Sequence, residues 1–71
     1  MKTLKEIIEF INANCQFCYA FENNGNVKVT YRGKKSDFIS IDLEYNSIES
    51  VGRISSDVLD QIAEFTGFSI N

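Results

Sequence analysis

The chain has 71 residues, 44% of them hydrophobic, with six Phe, three Tyr and a formal net charge of -3. That is room for one small domain, apolar enough to fold without a disulfide framework or a structural metal, and it argues against disorder. No apolar stretch approaches the roughly 20 residues of a membrane helix, and Glu6 and Glu9 interrupt the segment where a signal peptide needs an unbroken apolar run. A cytoplasmic location is therefore expected.

The charge is unevenly spread. Residues 1–35 hold six basic and three acidic groups, net +3, and residues 36–71 hold one and seven, net -6. Overall acidity weighs against general nucleic-acid binding, whose affinity comes from Lys and Arg neutralising phosphates. Whether the asymmetry reaches the surface depends on how the fold interleaves the two halves.

In chain order, Thr3 with Glu6 three residues later is a capping-box signature, in which side chains satisfy orphan backbone donors at a helix start. Leu4, Ile7, Ile8, Ile11 and Cys15 follow at the spacing of one helical face, with Phe10 at its edge. The Asn12 to Asn14 region is poor in helix formers and predicts the helix end. From Phe17 the period falls to two: Phe17, Tyr19 and Phe21 alternate with Cys18, Ala20 and Glu22, then Val27, Val29 and Tyr31 with Lys28, Thr30 and Arg32. A three-residue loop, Asn23-Asn24-Gly25, puts Phe21 opposite Val27 and Tyr19 opposite Val29, so aromatic and β-branched side chains share the core face. A two-residue Asn24-Gly25 turn would set Phe21 against Lys28, and the hydrophobic pattern favours the longer loop.

A third strand reads Ile39, Ile41, Leu43 and, at its limit, Tyr45 inward, with Phe38, Ser40, Asp42 and Glu44 outward, after a Gly33–Asp37 connection. The matching register places Tyr31 opposite Ile39 and Lys28 opposite Asp42, an exposed cross-strand ion pair. In residues 46–54, Ile48, Val51 and Ile54 recur every three positions, which fits a helical turn better than a short fourth strand. The second helix starts at Ser55 or Ser56, with Asp57 at the positive end of the helix dipole. It runs on Val58, Leu59, Ile62, Ala63 and Phe65 or Thr66 and stops at Gly67, where Phe68 can fold back on Ile62 or Ala63. The expectation is a single α+β domain over 1–71, in the order α-β-β-β-α: a three-stranded antiparallel meander with both helices packed on one face. The other face would be open and carry Cys18, Ala20, Thr30, Phe38 and Ser40.

No catalytic constellation accompanies this fold. Cys15-Gln16-Phe17-Cys18 is a CxxC, but it follows a helix, whose negative end opposes the thiolate that redox chemistry requires. A structural zinc needs four ligands, and the chain has no third Cys and no His. The expected role is structural, with Cys18 on the open face the more reactive thiol. Gly33-Lys34 matches the end of a phosphate-binding P-loop, yet Lys28 stands where the earlier glycine belongs and the segment joins two strands. Asp57, Asp60 and Glu64 line one face of the second helix, an exposed surface without the desolvation that paired acid–base chemistry requires. The lack of His removes the commonest general base. No catalytic, cofactor-binding or metal-ligating residue is assigned, and an enzyme is not expected.

The order of helix, three strands and helix resembles that of double-stranded RNA binding domains, by topology alone. That family grips phosphates through a lysine-rich start to its second helix. Here the corresponding segment is Ser55-Ser56-Asp57, with Asp60 following, an acidic start that would repel the backbone. The leading expectation is a small regulator, adaptor or inhibitor that occupies a surface of a larger protein through Asp57, Asp60, Glu64, Glu44, Asp42 and Phe38. In size, acidity and asparagine content the chain resembles single-domain products of phages and mobile elements, which include inhibitors of nucleic-acid-binding host proteins. The alternative is nucleic-acid binding through a basic hairpin of Lys28, Arg32, Lys34 and Lys35, with Tyr31 or Phe38 available for stacking. A further alternative is a homodimer formed by the open sheet face or an edge strand.

Overall fold

The local helix signals set the frame. In a computed structural model describing residues 2–71, Thr3 Oγ1 accepts from the Glu6 N–H at 3.2 Å and Glu6 Oε1 accepts from the Thr3 N–H at 2.8 Å, closing the capping box. Helix α1 (Leu4–Asn14) follows, then strands β1 (Cys18–Asn23), β2 (Asn26–Tyr31), β3 (Lys34–Asp42) and β4 (Ser47–Val51). Ser55 caps helix α2 (Ser56–Thr66), and Gly67 at φ +76 ends it, donating its N–H to the Ala63 carbonyl at 2.8 Å. A short strand β5 (Ser69–Ile70) completes a five-stranded mixed sheet in the order β1-β2-β3-β4-β5, antiparallel except for the β4–β5 pair.

One core joins Ile7 and Ile11 of α1, Val58 and Ile62 of α2, Phe68, and the inward residues Ala20, Val27, Val29, Tyr31, Ile39, Ile41 and Ile48. The expected α+β class and the two helices stand, but the sheet is larger than a three-stranded meander. Residues 47–51 are a strand, not a helical turn, with Ile48 buried on the core face and Val51 on the opposite face. The three-residue recurrence reflects Ile48 and Val51 on opposite faces of a strand, followed by a turn before Ile54. After α2 the chain returns to the edge of β4, where Ser69 N–H bonds the Asn46 carbonyl and Asn71 N–H that of Ile48, at 3.1 and 2.8 Å.

Strand β1 presents the face opposite to the one expected. Ala20 is 2% exposed and Cys18 half-buried, whereas Tyr19 is 63% and Phe17 60% exposed. The loop is the two-residue one: Asn23 pairs with Asn26, and Asn24 and Gly25 sit at φ 54 and 83, both left-handed, the twist that matches a right-twisted hairpin. Phe21 therefore lies opposite Lys28. The reason is steric as well as torsional. Helix α1 lies on β1, and Asn12 fastens it there, accepting from the Ala20 N–H at 2.8 Å and donating to the Ala20 carbonyl at 3.1 Å. Only small side chains such as Cys18 and Ala20 fit beneath a helix held that close.

The β2–β3 connection is tighter than expected, a two-residue turn at Arg32 (φ 56) and Gly33 (φ 68) that sets Tyr31 opposite Lys34, not Ile39. A bulge then restores Thr30 opposite Phe38 and Val29 opposite Ile39, so the predicted faces of Ile39, Ile41 and Phe38 survive. Lys28 lies opposite Ser40, not Asp42. Leu43 is half-buried in the β3–β4 turn, and Tyr45, expected inward, is 74% exposed there.

Candidate functional site

With both helices on one side, the register defines what the other side displays. One row across the sheet is Tyr19, Thr30, Phe38 and Val51, and the next is Phe21, Lys28, Ser40 and Glu49. The expected members Cys18 and Ala20 belong to the core, and Tyr19 and Phe21 replace them. Tyr19 and Phe21 stack with centroids 5.8 Å apart, and the Lys28 ammonium sits 4.7 Å above the Phe38 ring. Val51 is 48% exposed at the β4 side. The result is an aromatic and aliphatic patch with a cation held inside it and Thr30, Ser40 and Glu49 among its polar members.

The two ends of the sheet differ in charge. Strand β3 has nine residues, and at about 3.3 Å rise per residue its ends stand roughly 26 Å apart. Arg32, Lys34, Lys35 and Arg53 gather at its start, while Glu22, Asp42 and Glu44 lie toward its far end. This polarity is made by the fold and is not the asymmetry of the sequence, since Arg53 joins the basic end from the acidic half, Glu22 joins the acidic end from the basic half, and Asp37 and Asp57 lie at the basic end. The predicted basic patch is divided: Lys28 belongs to the open face, Arg32 and Lys34 line a cleft at the hairpin end, and Lys35 is exposed beside them.

The predicted acidic surface is divided too. Asp57, Asp60 and Glu64 are exposed along α2, as the helical spacing implies. Asp42 belongs to the β3–β4 turn, where Oδ1 accepts from the Glu44 and Tyr45 N–H groups at 2.8 and 3.0 Å, and Glu44 is exposed in the same turn. Asp57 instead lines a groove with Arg32, Phe17 and Gln61 at the opposite end of the molecule.

Cys15 and Cys18 are free thiols, the first buried and the second half-buried on the core side. Burial pushes the Cys15 thiol up, and burial followed by the neighbouring Cys15 pushes Cys18 up to about 11. Cys18 is therefore not the reactive, open-face thiol expected from alternation. Among the described residues, no group of three or more His, Cys, Asp and Glu is placed to hold a metal ion, and no helix is long and apolar enough to cross a membrane.

Sequence reasoning missed Tyr19, Phe21, Val51 and Arg53. The Asn24-Gly25 pair, a strong two-residue hairpin signature, could have revealed the first two. Nothing local marks Arg53, which reaches the basic end only through the β4–α2 connection. Comparison of the chain with protein families, with curated proteins and with solved structures returns no match.

Proposed function

We propose that this protein is a small non-enzymatic binding module that acts in the cytoplasm by covering a surface of a larger protein with the open face of its sheet. The observation that carries this reading is that Tyr19, Phe38 and Val51 line up in one row across the open face, with Phe21 in the next, Tyr19 and Val51 exposed and Phe38 and Phe21 half-buried. An aromatic centre edged by polar side chains is the composition of a protein–protein contact. Lys28 is held above Phe38, so the complementary patch is apolar and carries a carboxylate.

Four strands spaced about 4.8 Å and about five residues long give a footprint of roughly 14 by 17 Å. That is small for a specific interface, which concentrates affinity in the rings of Tyr19 and Phe38. The acidic face of α2 then contributes to solubility and to the approach of a partner more than to the contact.

The test is a pull-down from nuclease-treated host lysate with three tagged forms: the natural chain, Tyr19→Ser/Val51→Ser, and Asp57→Asn/Asp60→Asn/Glu64→Gln. A single protein retained by the natural chain and the α2 variant, and lost by the sheet variant, supports the reading. Loss with the α2 variant alone would transfer the contact to the acidic helix. Capture by the natural chain from untreated lysate that is absent from the nuclease-treated one would replace protein binding with nucleic-acid binding.

A further inference from the structure

We propose that the cleft at the hairpin end of the sheet is a binding site for a phosphate group. It lies off the open face, between the β2–β3 turn and the β4–α2 connection, has a volume of about 590 Å³, and is lined by Arg32, Lys34, Arg53, Asp37, Tyr31 and Ser55 among others. Three cations from two chain segments, Arg32 and Lys34 from the β2–β3 hairpin and Arg53 from the β4–α2 connection, line it with one carboxylate.

The backbone holds both arginines in place. Arg32 is at φ 56 in the turn, its N–H donating to the Phe17 carbonyl at 2.8 Å, and its guanidinium lies over the rings of Phe17 and Tyr31 at 4.7 and 5.4 Å. A guanidinium held over ring faces is positioned by them without using up its N–H donors as hydrogen bonds. Arg53 follows Gly52, which at φ +85 is seated so closely on Ser36 and Asp37 that no Cβ would fit. Asp37 is already engaged: its Oδ1 accepts from the Arg53 N–H at 3.2 Å and from Ser36 Oγ at 3.4 Å. The one carboxylate in the cleft thus holds the loop that delivers Arg53.

The formal balance, two arginines and a lysine against Asp37, is net +2 and matches a phosphate dianion. Asp57, which opposes an anion, lines the adjoining groove, which shares Tyr31, Arg32 and Ser55 with the cleft. A planar carboxylate has two acceptor oxygens, whereas a tetrahedral phosphate has enough to meet three converging donors.

The experiment is a ¹⁵N–¹H NMR titration of the full chain at low salt with inorganic phosphate, pyrophosphate and a short oligothymidylate. It is run on the natural chain and on Arg32→Gln, Arg53→Gln and the control Lys5→Gln on α1. Arg53→Gln retains the backbone N–H that bonds Asp37, and unchanged dispersion of the spectrum verifies the fold. Expected are saturable shifts confined to the amides of Arg32, Gly33, Gly52 and Arg53, weakened roughly tenfold or more by either Gln substitution in the cleft and untouched by Lys5→Gln. Saturation by pyrophosphate identifies a site for terminal phosphates, and saturation by oligothymidylate alone identifies a phosphodiester site. Shifts that never saturate, spread over all lysines, or persist in both arginine variants would overturn the proposal. Because this cleft and the open face are separate surfaces, failure here leaves the sheet-face reading to its own test.

Discussion

Replacing Gly52 with alanine tests the contact that builds the hairpin end of the sheet. At φ +85 an alanine pays the left-handed penalty, about 1–2 kcal/mol for a residue with a Cβ. Its Cβ would also meet the Ser36 carbonyl oxygen at 2.5 Å and the side chain and Cα of Asp37, so the 36–37 and 52–53 segments must separate. Separation loses the Asp37 bond to the Arg53 N–H, worth about 1 kcal/mol. Together these give about 2–3 kcal/mol, against a total of roughly 4–10 kcal/mol for a domain of this length, and lower Tm by about 10–20 °C. Urea unfolding of the natural chain, Gly52→Ala and Gly25→Ala measures it. Gly25 is a matched control, at φ +83 with nothing within 4 Å of an added Cβ, so it reports the left-handed penalty alone. Asp37→Ala in the same series should reduce the cost of Gly52→Ala, because the side chain that collides with the new methyl is gone. Gly52→Ala no more costly than Gly25→Ala would refute the close packing of the two segments.

Three further outcomes follow from the observed geometry. Tyr19→Asp should change stability by about 1 kcal/mol or less, while Ala20→Asp, placing a charge beneath α1, should cost at least about 3 kcal/mol; the reverse order in chemical denaturation would restore the opposite face of β1 to the core. Asn12→Ala should cost about 1–2 kcal/mol through its two bonds to Ala20, and hydrogen exchange at the Ala20 amide should accelerate more than at Val29. Near neutral pH both thiols should react slowly with a disulfide reagent until the protein is unfolded. Because the fold disfavours the Cys18 thiolate, the unfolded chain releases that proton first, so stability falls as pH rises from 9.0 toward about 11. Comparison with Cys18→Ala over that window isolates the effect, and identical curves would contradict it.

Sequence alone determined the features that depend on neighbours a few residues away. The Thr3 and Glu6 capping box, the stripe through Ile7 and Ile11, the Ser55 cap and the Gly67 terminator are satisfied within one or two turns of backbone, so they are legible before any tertiary contact forms. The α+β class and the faces of β2 and β3 follow from the same short-range alternation. The site was legible only in fragments: Phe38, Lys28, Arg32 and Lys34 could be singled out by type, but not their division between an open face and a cleft. The tertiary structure decided which face of β1 turns inward, because alternation of apolar residues on both sides of Phe17–Glu22 is ambiguous until the space under α1 selects Ala20 over Tyr19. It likewise decided that residues 47–51 are a strand, because the edges of β3 and β5 offer their backbone groups partners that lie far away in sequence. Arg53 reaches the basic end for the same reason: its position depends on where β4 and Asp37 lie in space, and no spacing along the chain encodes that.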